Sequence, residues 1–231
     1  MVYVTSDLHG YPLEKFTALL EKAGFSQNDF LYVLGDVIDR GADGIKILRK
    51  LMAMPNAQLI AGNHEAMMLG CSFLFDEITE ESIADLTDEK LGSYSNWIAN
   101  GGEPTLSALR KLGREETEYI LEYLREAPIY ETVTAGGRDF LLTHSGLGSF
   151  EKTKKLSQYS AYDLLWNRPS LNDEYHSGIT TVFGHTPTFL FGDEYADKAI
   201  FTDTWINIDT GAACGRNPMI LRLDDLKEFY F

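Results

Sequence analysis

Apolar residues early in this chain come in three short runs, and each run ends directly in a polar loop. Val2-Tyr3-Val4-Thr5 leads into Ser6-Asp7-Leu8-His9-Gly10. Phe30-Leu31-Tyr32-Val33-Leu34 leads into Gly35-Asp36-Val37-Ile38-Asp39-Arg40-Gly41, and Gln58-Leu59-Ile60-Ala61 into Gly62-Asn63-His64-Glu65. Runs of this length, rich in β-formers, predict buried strands. Between them the period changes. Over Tyr11–Ala23 the apolar positions Leu13, Phe16, Leu19, Leu20 and Ala23 form a helical stripe, with Pro12 suited to its first turn and Gly24 to its stop. Asp43 can cap a second helix that carries Ile45, Leu48, Leu51 and Met52 and ends near Pro55. Strand, helix, strand, helix, strand is the pattern of a parallel βαβ core with right-handed crossovers.

The strand pattern then stops. Glu65–Gly70 reads as a short helix, and nothing from Ser72 to Ala127 reads as a strand. Amphipathic helices are predicted near 90–99 and 115–127, the second with Tyr119, Ile120, Tyr123 and Leu124 on one face. Asp76–Glu89 holds seven carboxylates and no base, which predicts a solvated helix-loop face. Trp97–Thr105 contains Asn100-Gly101-Gly102, a tight turn. Residues 72–127 are expected to be a helical insertion beside the site, within one domain over 1–231. Ile129–Thr134 and Arg138–Thr143, split by Ala135-Gly136-Gly137, predict a hairpin. Thr180–Phe183 is a further strand. Ala199–Thr202, Trp205–Ile208, Met219–Leu223 and Lys227–Tyr230 are expected as short, mostly antiparallel strands.

The three loops carry the candidate chemistry. In an open α/β sheet, sites form outside the carboxyl ends of the strands, so loops of Asp, Asn and His there should converge on one edge. A carboxylate at the end of a buried strand has a desolvation cost, which a divalent metal offsets best. Asp36, nearest the strand end, is therefore the expected bridge between two metals. Asp39 and Arg40 lie one turn further on, free to orient a base or hold a phosphate oxygen.

These loops resemble the three signature motifs of the PPP serine/threonine phosphatases, within the calcineurin-like metallophosphoesterases. His144-Ser145-Gly146 and Gly184-His185-Thr186-Pro187 resemble the last two metal-histidine motifs of that family. The five motifs stand in the family's order from residue 7 to 187, and the length and short tail are similar to the small bacterial and phage-lambda-type members. One departure is Ser6, where eukaryotic members usually carry Gly. Trp97–Thr105 is similar to sequences in the bacterial relatives. The resemblance implies an α/β calcineurin-like metallophosphoesterase sandwich, two packed mixed β-sheets flanked by helices. It implies two divalent metal ions, one set held by Asp7, His9 and Asp36, the other by Asp36, Asn63, His144 and His185. Imidazole and oxygen donors without thiolate suit Mn²⁺, the first choice, and equally Fe or Zn²⁺. By the same resemblance His64 is the general acid, with Asp39 holding its ring, and Arg40 and Arg168 grip the phosphate. His176 matches no motif and reads as a surface-loop residue. Asp209, in Asn207-Ile208-Asp209-Thr210-Gly211, reads as a turn acid, because both ligand sets are already filled.

The expected activity is hydrolysis of protein phosphoserine or phosphothreonine, by one-step attack of a metal-bridging hydroxide. Two alternatives remain open: a dinucleoside polyphosphate (diadenosine tetraphosphate) hydrolase, and a metal-bound interaction scaffold without catalysis. The partner is then a phosphorylated protein or a nucleotide. Composition narrows this further. A net charge of −15 over 231 residues disfavours tight binding to a nucleic-acid duplex. It does not exclude a phosphorylated substrate, since bound dications reverse the local sign. No apolar run reaches membrane-spanning length. Cys71 and Cys214 are in no metal-type spacing and suit a reduced pair. With no basic, apolar leader in front of the first strand, the expected location is cytoplasmic.

Overall fold

Strand β1 (Val2–Thr5) lies parallel to β2 (Phe30–Leu34), and β2 parallel to β3 (Ala57–Ile60), in a computed structural model that describes all 231 residues. Helices α1 (Leu13–Ala23) and α2 (Gly44–Met52) make the two crossovers. Two antiparallel strands, β9 (Ile220–Arg222) and β10 (Lys227–Phe229), extend this sheet on the other side of β1, giving the order β10-β9-β1-β2-β3. The second sheet has the order β4-β5-β6-β8-β7, from β4 (Tyr130–Ala135), β5 (Arg138–Thr143), β6 (Thr180–Phe183), β7 (Ile200–Phe201) and β8 (Trp205–Asn207).

Period-two alternation sorts the side chains into layers. Val4, Leu34, Ile60 and Leu221 of one sheet meet Phe140, Leu142, Val182 and Ile206 of the other, in a cluster of 13 buried residues. Their chain neighbours Tyr3, Leu31 and Val33 point the opposite way, into a cluster of 25 under the helices. The outer face of the second sheet is covered by a smaller group around Leu141, Leu164, Tyr175 and Trp205. The molecule is thus two mixed sheets face to face with helices outside, as expected.

The helical stretch is continuous: α3 (Asn63–Gly70), α4 (Glu80–Ala84), α5 (Asp88–Ala99), α6 (Glu103–Leu109) and α7 (Arg114–Glu126). Trp97, Leu106, Leu109, Ile120, Leu121 and Leu124 pack into the same 25-residue cluster as α1 and α2, so this stretch shares the core of the first sheet. The acidic part, 76–89, is almost wholly exposed. α6 and α4 are too short to show a stripe in the sequence. No helix is long and apolar enough to cross a membrane.

Three details depart from the sequence reading. Asp43 does not cap α2; its Oδ2 accepts the Leu13 N–H at 3.0 Å and so closes the start of α1, which Pro12 cannot cap. Strand 199–202 shrinks to two residues, and β8, expected among mostly antiparallel strands, runs parallel to β6. That parallel placement carries the end of β8 to the same edge as β5 and β6.

Candidate metal centre

All five motif loops leave the carboxyl ends of parallel strands, three from one sheet and two from the other. Backbone hydrogen bonds lace them together: Asp7 N–H to Gly35 O at 3.1 Å, His9 N–H to Asp36 O at 2.8 Å, and Gly184 N–H to His144 O at 2.8 Å. The sheets are joined at the site itself, where His185 N–H donates to Asp7 Oδ2 at 2.9 Å. The turns needed are tight. Asp7, His9, Asp36, Asp39, Arg40 and His185 all have positive φ, from 42° to 70°. Each such residue costs about 1–2 kcal/mol against ordinary backbone, and such strain gathers at functional sites. Gly62 is required for another reason: a Cβ there would stand 2.2 Å from Asp36 Oδ1.

Asp36 is the centre of the cluster. His9 Nε2 lies 3.4 Å from its Oδ2, and His144 Nε2 lies 3.5 Å from its Oδ1. Asn63 Oδ1 and His185 Nδ1 approach His144 Nε2 at 2.9 and 3.0 Å. Two buried groups share Asp36 and have ligand atoms close enough for one ion each: His9, Asp36 and His64, and Asp36, His144 and His185. The far ring nitrogens decide what these histidines present. His9 Nδ1 faces Ile38 O at 3.1 Å and His144 Nδ1 faces Leu34 O at 2.8 Å. A ring nitrogen facing a carbonyl must carry the proton, so each Nε2 offers a lone pair to the site.

The charges conflict without cations. Burial, then Asp209 and Asp36, lift the Asp7 carboxyl well above its ordinary range. Burial and Asp36 raise Asp209 to about 7. Burial would raise Asp36 too, but His144, His64, His9 and His185 outweigh it and hold Asp36 low. Burial drives His9 down to about 3 and, aided by His144, His185 down to about 2. Neutral imidazoles and crowded carboxylates are the donor set that a pair of divalent ions satisfies. His185 Nε2 has no hydrogen-bond partner. The residues present therefore fit a dinuclear metal site.

A cleft of about 60 Å³ opens above this centre, lined by Asp7, His9, Asp36, Arg40, Asn63, His64, Trp166, Arg168, His185 and Asp209 among others. His144 and Asp39 lie beneath it, fully buried. Asp39 does not pair with its neighbour Arg40. Its Oδ2 accepts His64 Nδ1 at 2.6 Å, while Arg40 Nη2 stands 3.2 Å from His64 Nε2 across the cleft. Burial lowers the affinity of the His64 ring for a proton, but the Asp36 and Asp39 carboxylates outweigh it and raise its pKa. Arg168 reaches the cleft with only Thr186 Oγ1 near its Nη1, at 3.4 Å. His176 stays away from the site and stacks edge-on against Phe150.

Sequence reasoning missed four contributors. Asp209 does form a turn, accepting Gly211 N–H at 2.9 Å, yet it also lines the cleft. The end of a strand parallel to β6 was the signal available for it. Glu65 is fully buried and fastens two loops: Oε1 accepts Val37 N–H at 2.9 Å, and Oε2 accepts Asp36 N–H at 2.8 Å and Gly62 N–H at 2.9 Å. Burial and Asp36 lift it to about 7 against the pull of those N–H groups. Trp97 and Thr105 both donate to Asp39, from the helical stretch.

The fold and this cluster of carboxylates and imidazoles define a metallophosphoesterase. The chain belongs to the calcineurin-like phosphoesterase family, whose sequence profile matches residues 1–206. It is 28% identical to serine/threonine-protein phosphatase 2 of Salmonella typhimurium, over 96% of this chain and 92% of that protein. It is 24% identical to the asymmetrical bis(5'-nucleosyl)-tetraphosphatase PrpE of Oceanobacillus iheyensis, over 98% of this chain and 89% of that one. The crystal structure of a cold-active protein-tyrosine phosphatase from a psychrophilic Shewanella superposes with a TM-score of 0.59 at 15% identity, covering 99% of this chain and 79% of that chain.

Proposed function

We propose that this metallophosphoesterase removes phosphate from phosphoserine and phosphothreonine in proteins, using two divalent ions. The observation that carries the proposal is the shared carboxylate: Asp36 lies between His9 and His144, each presenting Nε2, below a cleft faced by Arg40 and Arg168. Asp7, His9 and Asp36 would hold one ion, and Asp36, Asn63, His144 and His185 the other. Mn²⁺ is the proposed ion, with Fe and Zn²⁺ suited to the same donors. Such a pair lowers the pKa of a shared water and offsets charge on the phosphoryl oxygens.

The protein's own groups do the rest. Arg40 and Arg168 orient the phosphoryl group with their planar donor forks. His64 belongs by distance to the first metal group, yet its Nδ1 is taken by Asp39. That leaves Nε2 in the cleft to deliver a proton to the departing oxygen. The bacterial protein phosphatase, similar over almost the whole chain, supports the monoester reading.

A second reading is favoured by one feature. A groove of about 350 Å³ adjoins the cleft, shares His9 and Arg40 with it, and carries Lys15 and Arg216. In a chain of net charge −15 that is a place for further phosphates, as in a dinucleoside polyphosphate. The test is turnover by Mn²⁺-reconstituted protein of a phosphoserine peptide, diadenosine tetraphosphate and p-nitrophenyl phosphate. The proposal expects the peptide to be preferred. Preference for diadenosine tetraphosphate selects the second reading, and no turnover of any of the three returns the protein to the scaffold class.

A further inference from the structure

The turn that joins α5 to α6 grips the two residues on which the proton donor and the phosphate depend. Asp39 Oδ1 accepts the Thr105 hydroxyl at 2.6 Å, and Oδ2 accepts Trp97 Nε1–H at 2.9 Å beside His64 Nδ1 at 2.6 Å. The Asp39 N–H donates in turn to Thr105 Oγ1 at 2.9 Å. That contact fixes the hydroxyl: because Oγ1 accepts from the backbone, its own hydrogen must point to the carboxylate. Indole is a donor only, so Trp97 has one possible role toward Oδ2. Trp97 and Thr105 are both buried.

The residues between them hold Arg40. Gly101 O accepts the Arg40 N–H at 2.8 Å, and Asn100 O lies 3.5 Å from Arg40 Nε. A Cβ on Gly101 would stand 2.7 Å from Arg40 Cγ, and one on Gly102 would stand 2.6 Å from the Trp97 ring. The two glycines let the turn approach this closely, which gives Asn100-Gly101-Gly102 its reason.

We infer that Trp97 and Thr105 are positioning residues for proton delivery: two neutral donors from the helical segment fix the Asp39 carboxylate so that its remaining acceptor site aims the His64 ring at the leaving oxygen. The inference rests on the reading of His64 as the proton donor. Neither residue touches substrate. Each acts through Asp39, and a carboxylate missing one donor can rotate away from the imidazole.

The test compares phenyl phosphate, whose leaving group needs a proton, with p-nitrophenyl phosphate, whose leaving group needs far less help. Trp97→Phe keeps the aromatic ring and removes only the donor; Thr105→Val keeps the shape and removes the hydroxyl. In the Mn²⁺-loaded protein each variant should lose about tenfold more kcat on phenyl phosphate than on p-nitrophenyl phosphate, a part of the 10²–10⁴-fold that general acid catalysis is worth. Metal content should hold, and Thr105→Ser should restore the ratio. Added to His64→Asn, neither substitution should change the ratio further, since the ring they aim is gone. Equal losses on both substrates, or a further change of the ratio in the His64→Asn background, would overturn the inference. If His64→Asn alone shows a strong leaving-group dependence and Thr105→Val none, the positioning role fails while the proton donor stands. If His64→Asn shows none, the proton-donor reading fails and takes this inference with it. Should Trp97→Phe fail to fold, the Thr105→Val and Thr105→Ser pair decides the question.

Discussion

At the scale of single residues, Asp36 and His64 carry different kinds of work. Asp36 offers one oxygen towards His9 and the other towards His144. A neutral amide cannot bridge two dications as a carboxylate does. Asp36→Asn should therefore lose at least one metal and most hydrolysis, and metal analysis of the purified variant beside its kcat checks this. His64→Asn should keep both metals, because its Nδ1 is committed to Asp39. Its kcat on a phosphoserine peptide should fall about 10²–10⁴-fold, with a much smaller fall on p-nitrophenyl phosphate. Loss of a metal in that variant would mean that the nearness of His9, Asp36 and His64 reflects ligation rather than proton transfer. Arg168 has one weak contact to Thr186 and is otherwise free to meet phosphate. Arg168→Ala should raise KM and lower kcat with metal content intact, since phosphate is held in both ground and transition states.

At the scale of elements, the site depends on how strand ends and helix starts are fastened. α3 begins at Asn63, and Glu65 in its first turn collects N–H groups from the β2 loop and from Gly62. Those N–H groups need an acceptor at both oxygens. Glu65→Gln replaces one acceptor with a donor and leaves buried N–H groups unpaired, which costs about 2–3 kcal/mol. Urea unfolding of the metal-free variant against metal-free wild type checks the loss, and metal affinity should weaken because Asp36 sits on the loosened loop. The helical segment belongs to the same scale. Its motif from Trp97 to Thr105 was visible in the sequence as a turn, but its partners were not. Asp39 lies 58 residues from Trp97 and 66 from Thr105, and no periodicity links them. Asp43 shows the same limit: it looks like a cap for the helix that follows it and serves the helix 30 residues earlier.

At the scale of the whole molecule, the ions tie the sheets together. Asp7 and Asp36 come from the first sheet, His144 and His185 from the second, and the protein contacts between them include the His185 N–H to Asp7 bond and the His144 to Leu34 carbonyl bond. Binding to the folded state alone stabilises it by about 2.7 kcal/mol when metal is at a hundredfold its Kd. For a chain of this size that is a rise of about 5–10 °C in Tm. Thermal unfolding with Mn²⁺ and with a chelator should differ by that amount, and Asp36→Asn should show little difference between the two conditions. The sequence by itself determined the strands, the βαβ order and the donors at the strand ends. Those signals are local: side-chain period sets the element, and a ligand next in the chain to a strand end follows wherever that end goes. Tertiary structure alone decided that β8 runs parallel to β6 and brings Asp209 to the cleft, that Asp39 turns to His64 rather than Arg40, and that Trp97 and Thr105 hold it there. Those outcomes depend on which buried polar groups meet when helices and sheets pack, and a buried carboxylate takes the donors that packing brings to it, from any distance along the chain.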